Sequence, residues 1–226
     1  MPILSQDWNV LVVDNNSTDG SLEFAQNFDG VWTTKCPAKG YGSVIQKGAA
    51  FLSSQDLIDD SSTLIVCDAD GSSPHDKIDL LYQNVKKSPA ALVIGQRTSK
   101  ERGAMPPHAK FGNWLQTFLI GLFTGHFYRD MGPMRALTFA TYKDLELRDA
   151  NWGWNVEMQL KAVLRKFSII ELDVFYSKRK FGKSKISGSL VGSIKAGFKI
   201  FFCIFYYWAC EWQNKSKNFT RYQKSS

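Results

Sequence analysis

Two aspartates at the end of an apolar run are the residues best placed to do chemistry. Asp68 and Asp70 follow the run Leu-Ile-Val-Cys at residues 64–67 and precede Gly71. Alternate residues of an extended chain point to the same side, so both carboxylates can face one divalent cation. A hard cation such as Mg²⁺ takes a few carboxylate oxygens and completes its shell with water and substrate phosphates. The pair therefore predicts a metal site and a substrate with a diphosphate, although acids that cap a strand end and the next helix are an alternative.

The elements that must position this pair follow an alternating pattern. Short apolar runs alternate with segments of helical period, which predicts an α/β fold with a parallel sheet. The predicted strands are residues 10–13, 31–32, 64–67, 91–94 and 168–176. Ligands of open α/β sheets bind outside the carboxyl ends of the strands. Four charged residues fall at such ends, and we expect them to share one edge of the sheet: Asp14, Asp68, Asp70 and Arg97.

Two further segments are candidates for contacts with phosphate. Residues 178–185, Lys-Arg-Lys-Phe-Gly-Lys-Ser-Lys, are dense in hydrogen-bond donors and include a glycine that lets the backbone approach an anion. Such a basic segment is usually a solvated loop, but beside a diphosphate site it is a candidate clamp. Residues 98–107 contain Gly103, Pro106 and Pro107, which predict an exposed loop and a candidate lid ahead of an apolar helix at 111–123.

Length and composition predict one folded domain with a distinct C-terminal end. The chain has 226 residues, of which 44% are apolar, enough to bury a full core. Its four cysteines lack the paired spacing of zinc ligands, which favours a reducing compartment. Residues 1–6 lack the basic and apolar parts of a signal peptide, so we expect a cytoplasmic protein.

Positive charge is concentrated at the C-terminal end. Residues 178–226 hold 11 Lys and Arg against the single acid Glu211. Within them, the apolar run at 200–210 is too short to span a bilayer, which takes about 20 residues. An aromatic helix with basic flanks suits the membrane interface. The alternative is a helix packed on the domain or on a second copy, and binding to nucleic acid is not expected because the apolar run interrupts the basic residues.

The motifs occur in the order seen in a known family. They are residues 12–21, 39–42, 68–71, 95–97, 130–135, 153–158 and 179–188. In this order they resemble family 2 glycosyltransferases, of the branch similar to dolichyl-phosphate mannose and glucose synthases. The resemblance implies the GT-A fold, a Rossmann-like three-layer sandwich with a mostly parallel sheet. It also implies transfer of a sugar from a nucleotide-diphosphate donor, with Mg²⁺ or Mn²⁺, to an acceptor such as a polyprenyl phosphate at the cytoplasmic face of a membrane.

The resemblance also implies roles for single residues. Asp14 holds the nucleotide, Asp68 contacts the ribose or the metal, and Asp70 ligates the metal. Three residues match the family's Arg-x-x-Gly-x-Ser-Lys element, which closes over the diphosphate: Arg179, Ser184 and Lys185. Further contacts with substrate are expected from Gly40, Arg97 and Arg135.

Four residues are expected to act in the reaction: Asp70, Asp130, Glu157 and Arg179. An acceptor phosphate is already anionic and needs no base, so Asp130 and Glu157 are expected to orient groups. The alternative for Glu157 is a helix residue that supports a basic loop.

We expect three parts of the chain. The resemblance implies a glycosyltransferase domain at residues 1–188, and the apolar run with its basic flanks predicts an interfacial helix at 189–213, with membrane contact at 198–212, and a disordered basic tail at 214–226. A homo-oligomer remains open.

Two departures from the family keep other functions open. The usual first strand, which is central in the family's sheet, is absent, so this N-terminally truncated version should expose unpaired edge groups. Ser72 stands where many relatives carry Gln. One alternative is therefore a nucleotide-sugar-binding remnant without turnover. Another is a phosphatase similar to haloacid dehalogenases, in which Asp68 would attack phosphate and Asp70 would be the acid and base.

Overall fold

The computed structural model describes residues 8–101, 103–151, 153–178, 200–211 and 213. Strands and helices alternate through most of this range. The elements are β1 (Val10–Asp14), α1 (Ser21–Gln26), β2 (Val31–Lys35), α2 (Tyr41–Ser54), β3 (Thr63–Val66), α3 (Ile78–Lys87), β4 (Ala91–Lys100), α4 (Pro107–Thr124), β5 (Arg135–Thr138), α5 (Phe139–Asp144), α6 (Gly153–Leu164), β6 (Ser168–Tyr176) and α7 (residues 200–211).

The strands form two separate sheets. β1 and β2 pair in parallel, and the other four strands have the order β3-β5-β4-β6. The predicted α/β fold is confirmed, but among the strands that the structure describes parallel pairing is found only for β1–β2 and β4–β6. β5, which the sequence pattern did not predict, is antiparallel to both of its neighbours. Its direction follows from the preceding loop, which returns the chain to the carboxyl half of β4, where the Gly95 amide donates to the Met134 carbonyl at 2.9 Å.

One edge of β1 and one edge of β3 carry no strand within the described ranges. Helix α2 spans the two sheets. A Cβ built at Gly48 would lie 3.0 Å from the Val13 side chain in β1, so helix and strand approach closely. One turn earlier in α2, Ile45 packs against the same buried cluster as Leu64 in β3.

The core lies on both faces of the four-stranded sheet. Leu92 and Ile94 of β4 pack with α4, α6 and α7, whereas Ala91 and Val93 pack with α3 on the other face. Alternate residues of a strand point to opposite faces, and all four of these side chains are fully buried. The expected three-layer arrangement of helix, sheet and helix is therefore present.

The predicted lid is shorter than expected, because β4 continues to Lys100 and α4 begins at Pro107. The apolar run at 200–210 forms α7, and its Ile204 and Tyr207 are buried against the domain. Among the described residues, no helix combines the length and apolar character needed to cross a membrane.

Candidate active site

Asp68 and Asp70 lie in the turn directly after β3, and both are half-buried. Asp70 is held by Ser72, whose backbone amide and hydroxyl donate to its Oδ1 at 3.0 and 2.5 Å. Ser72 itself is buried. The serine that replaces the family's usual glutamine therefore fixes the orientation of one carboxylate of the pair.

The donor set at this turn suits a cation that shares its shell with substrate. No group of three or more His, Cys, Asp or Glu side chains in the described part of the chain could hold a metal alone. Mg²⁺ is usually bound by one or two carboxylates with water and substrate phosphates as the other ligands. Asp68 and Asp70 fit that pattern, and a metal held by protein ligands only would not fit.

Arg97 and Asp130 form a buried ion pair at the carboxyl end of β4. Arg97 donates from Nε and Nη2 to the two Asp130 oxygens at 2.8 and 2.9 Å. Its backbone amide binds the same carboxylate at 2.9 Å. Asn113 of α4 accepts from Arg97 Nη2 at 3.1 Å. Burial alone would lower the pKa of Arg97, but the hydrogen bond and the charge of Asp130 raise it, so the guanidinium stays charged.

Arg135 is fully buried and interacts electrostatically with both members of this ion pair and with Tyr41. Its Nη1 donates to Asn155 and its Nη2 to Gln159 at 3.1 Å, both on α6. Its Nε has no hydrogen-bond partner among the described residues. Burial lowers the pKa of Arg135 to about 10, while the nearby Asp130 acts to raise it. The side chain is therefore still cationic at neutral pH.

Tyr41 interacts electrostatically with both Arg135 and Asp68. Burial is the main reason that the pKa of Tyr41 is raised, and the negative charge of Asp68 raises it further. The Tyr41 ring meets Trp154 edge-on at 5.8 Å, and the Arg135 guanidinium lies 5.8 Å from the same Trp154 ring. Neither the Tyr41 hydroxyl nor Trp154 Nε1 finds a hydrogen-bond partner in the described ranges.

Sequence reasoning did not select Tyr41, Trp154 or Asn113 as site residues. Tyr41 and Trp154 stand inside the Gly40–Gly42 and Gly153–Met158 motifs, which was the available signal, but large aromatic residues there are equally typical of a core. Asn113 gave no signal, because one polar residue in an apolar helix has many uses. Only its contact with Arg97 identifies it.

Gly40 and Gly42 pack against the loop that precedes α6. A Cβ at Gly40, where φ is +125°, would lie 2.2 Å from the Ala150 carbonyl oxygen, and one at Gly42 would lie 1.9 Å from that of Asp149. The Ser43 amide donates to the Ala150 carbonyl at 2.9 Å. The Gly40 turn therefore takes its position from residues 149–151.

Glu157 holds that loop in place through hydrogen bonds. It is fully buried and accepts from the Arg148 and Asp149 backbone amides at 2.9 and 2.8 Å. Lys161, one turn later in α6, pairs with it at 2.7 Å. These contacts favour the alternative in which Glu157 supports a loop. The loop that it supports is residues 148–149, and not the basic segment at 178–185.

Asp14 is the last residue of β1, which belongs to the two-stranded sheet, whereas Asp68 follows β3 of the four-stranded sheet. It is buried and accepts from the Ser17 amide at 3.1 Å. The next side chain, Asn15, donates to the Cys36 and Ala38 carbonyls, both at 2.8 Å. Asp14 is thus tied to the chain that leads into Gly40.

The predicted clamp residues Arg179, Ser184 and Lys185 lie outside the described residues. The chain that leads to them is described. The Ser177 amide donates to the Ser72 carbonyl at 3.2 Å, so β6 ends beside the Asp70 turn.

A family model decides the identity of the chain. The model of glycosyl transferase family 2 matches residues 3–142, more than half of the sequence. The chain belongs to glycosyltransferase family 2. This glycosyltransferase is also 33% identical over 189 residues to an uncharacterised glycosyltransferase of Mycobacterium tuberculosis, which covers 84% of this chain and 83% of the relative. It is 25% identical over 207 residues, 85% of its own length and 74% of the relative's, to the polyprenol monophosphomannose synthase of Mycolicibacterium smegmatis.

A solved structure shows that this glycosyltransferase has the GT-A fold. Glucosyl-3-phosphoglycerate synthase from Mycobacterium tuberculosis, in complex with Mn²⁺, UDP-glucose and phosphoglyceric acid, matches with a TM-score of 0.61 at 12% identity. The match covers 88% of this chain and 68% of that one. The chain spans about two thirds of the length of the solved structures it matches. The predicted family and fold are confirmed. Membership of this family rules out the phosphatase alternative.

Proposed function

We propose that this glycosyltransferase moves a sugar from a nucleotide-diphosphate donor to a polyprenyl phosphate acceptor at a membrane surface. The observation that carries the proposal is the grouping of charged side chains around the ends of β3 and β4. Arg135 interacts electrostatically with Arg97, with Asp130 and with Tyr41, and Tyr41 interacts in turn with Asp68. The M. smegmatis relative, named as a polyprenol monophosphomannose synthase, supports the class of acceptor.

In this proposal the donor diphosphate lies over the Asp68–Asp70 turn. Asp68 and Asp70 would hold a divalent cation, which when bound would supply positive charge to the diphosphate as the leaving group becomes more negative. The Mn²⁺ complex with UDP-glucose of the structural neighbour supports both the cation and the donor class. Asp14 and Gly40 then hold the nucleotide, and the segment with Arg179, Ser184 and Lys185 covers the diphosphate.

The acceptor phosphate is the nucleophile that attacks the sugar. One of its oxygens forms a bond to the anomeric carbon while the bond from that carbon to the diphosphate breaks, and the electron pair leaves with the nucleoside diphosphate. No base is needed, since the phosphate is already anionic. Asp130 orients Arg97, which binds it through three hydrogen bonds. Arg97 and Arg135 supply the positive charge that attracts the acceptor phosphate.

We assign the transfer reaction to residues 1–188 and membrane contact to residues 198–212. The two-sheet arrangement favours a second candidate, a nucleotide-sugar-binding protein without turnover, because the base side of the site rests on a β1–β2 sheet that shares no strand pairing with the other described strands.

Titration calorimetry with UDP-glucose and GDP-mannose, with and without Mn²⁺, tests the proposal. We expect Asp70→Asn to abolish metal-dependent donor binding and to leave the melting temperature nearly unchanged, because Asn can still accept from Ser72. The matched control is Asp76→Asn, an acid six residues later with a 72% exposed side chain. An unchanged donor affinity in Asp70→Asn contradicts the assigned role. Metal-dependent binding without sugar transfer to a short-chain polyprenyl phosphate supports the second candidate.

A further inference from the structure

Helix α4 exposes an apolar stripe on the surface. Four side chains at spacings of three and four residues are between 43% and 65% exposed: Phe111, Trp114, Phe118 and Leu122. Residues at these spacings lie on one face of a helix. Trp114 and Phe118 stack at 5.4 Å, whereas Leu119 and Ile120, which point away from the stripe, are buried in the core.

Helix α7 packs beside α4. Its Phe201 and Phe205 contact Phe123 of α4, with ring centroids 6.3 and 6.4 Å apart. Four side chains of α7 are between 44% and 73% exposed: Phe201, Phe202, Phe205 and Tyr206. We call these four and the four of α4 the aromatic face. Single exposed apolar residues are normal, but eight of them on two helices that pack together mark an interaction surface.

Charge distinguishes between the partners that such a face could take. The sequence on either side of α7 is basic, with 11 Lys and Arg against Glu211 over residues 178–226, and Lys110 is exposed in the first turn of α4. A second copy of the chain would bring two such basic sequences together. An anionic bilayer complements them, since basic residues are attracted to anionic headgroups and aromatic rings settle at headgroup level.

The aromatic face adjoins the site. Asn113 stands directly before Trp114 in α4, and its Oδ1 accepts from Arg97 Nη2 at 3.1 Å and from the Met131 amide at 3.0 Å. One turn of α4 therefore carries both the exposed Trp114 ring and Asn113, which accepts a hydrogen bond from the Arg97 guanidinium. A membrane against this face would present phosphate groups at the edge of the site.

We propose that the aromatic face docks on the surface of an anionic lipid bilayer through α4 as well as α7. Docking deepens the proposed function by placing a lipid-linked acceptor beside Arg97, but vesicle binding itself needs neither donor nor metal. The two proposals can therefore fail separately.

The experiment measures flotation of the full chain with vesicles of phosphatidylcholine alone and of phosphatidylcholine with phosphatidylglycerol at about 7:3. We expect binding to the anionic vesicles, weaker binding at high salt because charge is screened, and a decrease of at least about tenfold in the partition coefficient of W114E/F118E, since two rings leave the interface. The control is Phe24→Glu on α1, where an equally exposed ring (62%) lies outside the aromatic face.

Several outcomes would overturn docking. One is equal binding of W114E/F118E and the wild type. Another is an equal loss in Phe24→Glu. A third is a dimer in sedimentation velocity that W114E/F118E converts to a monomer while vesicles bind neither protein. The variant W114A/F118A, which adds no charge, replaces the double glutamate if that variant has a lowered melting temperature. Metal-dependent donor binding by a wild-type protein that does not bind anionic vesicles shows that docking, and not the proposed donor site, has failed.

Discussion

Glu157 is a carboxylate whose role depends on its contacts more than on its motif. It is fully buried, and its oxygens are occupied by two backbone amides and by Lys161. A base or a ligand for substrate must have an oxygen available to the reacting group. Its contacts instead fix residues 148–149, against which Gly42 packs. We therefore regard Glu157 as a residue that positions the Gly40 turn.

This role predicts separate effects on stability and on donor binding. Glu157→Ala leaves Lys161 buried without its partner and frees two amides, so we expect the free energy of unfolding to fall by about 3–5 kcal/mol. Glu157→Gln keeps an acceptor oxygen and should lose less. In both variants the KM for the donor should rise more than kcat falls. Urea unfolding and initial-rate kinetics measure these quantities.

Glu23→Gln, an exposed acid on α1, is the control for the change in charge. A free energy of unfolding equal to that of the wild type would contradict the buried contacts. A lowered stability with an unchanged KM for the donor would limit Glu157 to a structural role.

At the scale of elements, α7 is attached to the domain by one ion pair and an apolar face. Arg165, directly after α6, donates from Nε and Nη2 to the two oxygens of Glu211 at 3.0 and 2.6 Å. The Arg165 side chain is 21% exposed and that of Glu211 is 7% exposed. Ile204 and Tyr207 provide the apolar part of the contact. Glu211, the only acid after residue 178, is thus used to fix the helix.

We expect Glu211→Gln to weaken the attachment of α7. Arg165 would keep a hydrogen bond but lose a charged partner, and we expect the free energy of unfolding to fall by about 1–2 kcal/mol after allowance for solvent screening. Thermal unfolding measures the loss, and Trp208 fluorescence reports whether α7 leaves the domain. The exposed pair Lys143–Asp60 is the control, since Asp60→Asn should cost no more than about 1 kcal/mol. A larger loss in the control than in Glu211→Gln would contradict this account of α7.

The molecule as a whole consists of a well-packed sheet and a less buried one. Three central residues of β4, Leu92, Val93 and Ile94, are fully buried, whereas in β1 only Asp14 is buried. Both core clusters are built around the four-stranded sheet. Local stability follows buried apolar contact, so the two-stranded sheet should open more easily.

Hydrogen exchange of the native protein tests this difference. We expect the amides of Val10–Asp14 to exchange before those of Leu92–Ile94, because sub-global opening releases β1 and β2 before the larger sheet. A saturating donor with Mn²⁺ should slow exchange in β1, since Asp14 would then hold the nucleotide. Equal protection of the two sheets without ligand would contradict the prediction.

The sequence by itself determined the family, the α/β class and the ends of the strands that carry Asp14 and Asp68. The strand end expected before Arg97 was wrong, because Arg97 lies within β4, which runs to Lys100. Apolar runs and motif order are local properties that can be read along the chain. The tertiary structure decided the rest. β5 was missed because its four residues, Arg-Ala-Leu-Thr, are buried on both faces and show no period. Three contacts of the site join residues from different elements: Arg97 with Asp130, Arg135 with Trp154, and Glu157 with residues 148–149. No local sequence pattern specifies how these elements approach each other. The aromatic residues of α4 were predicted to form an apolar helix, but the sequence period could not show which of them the core would leave outside.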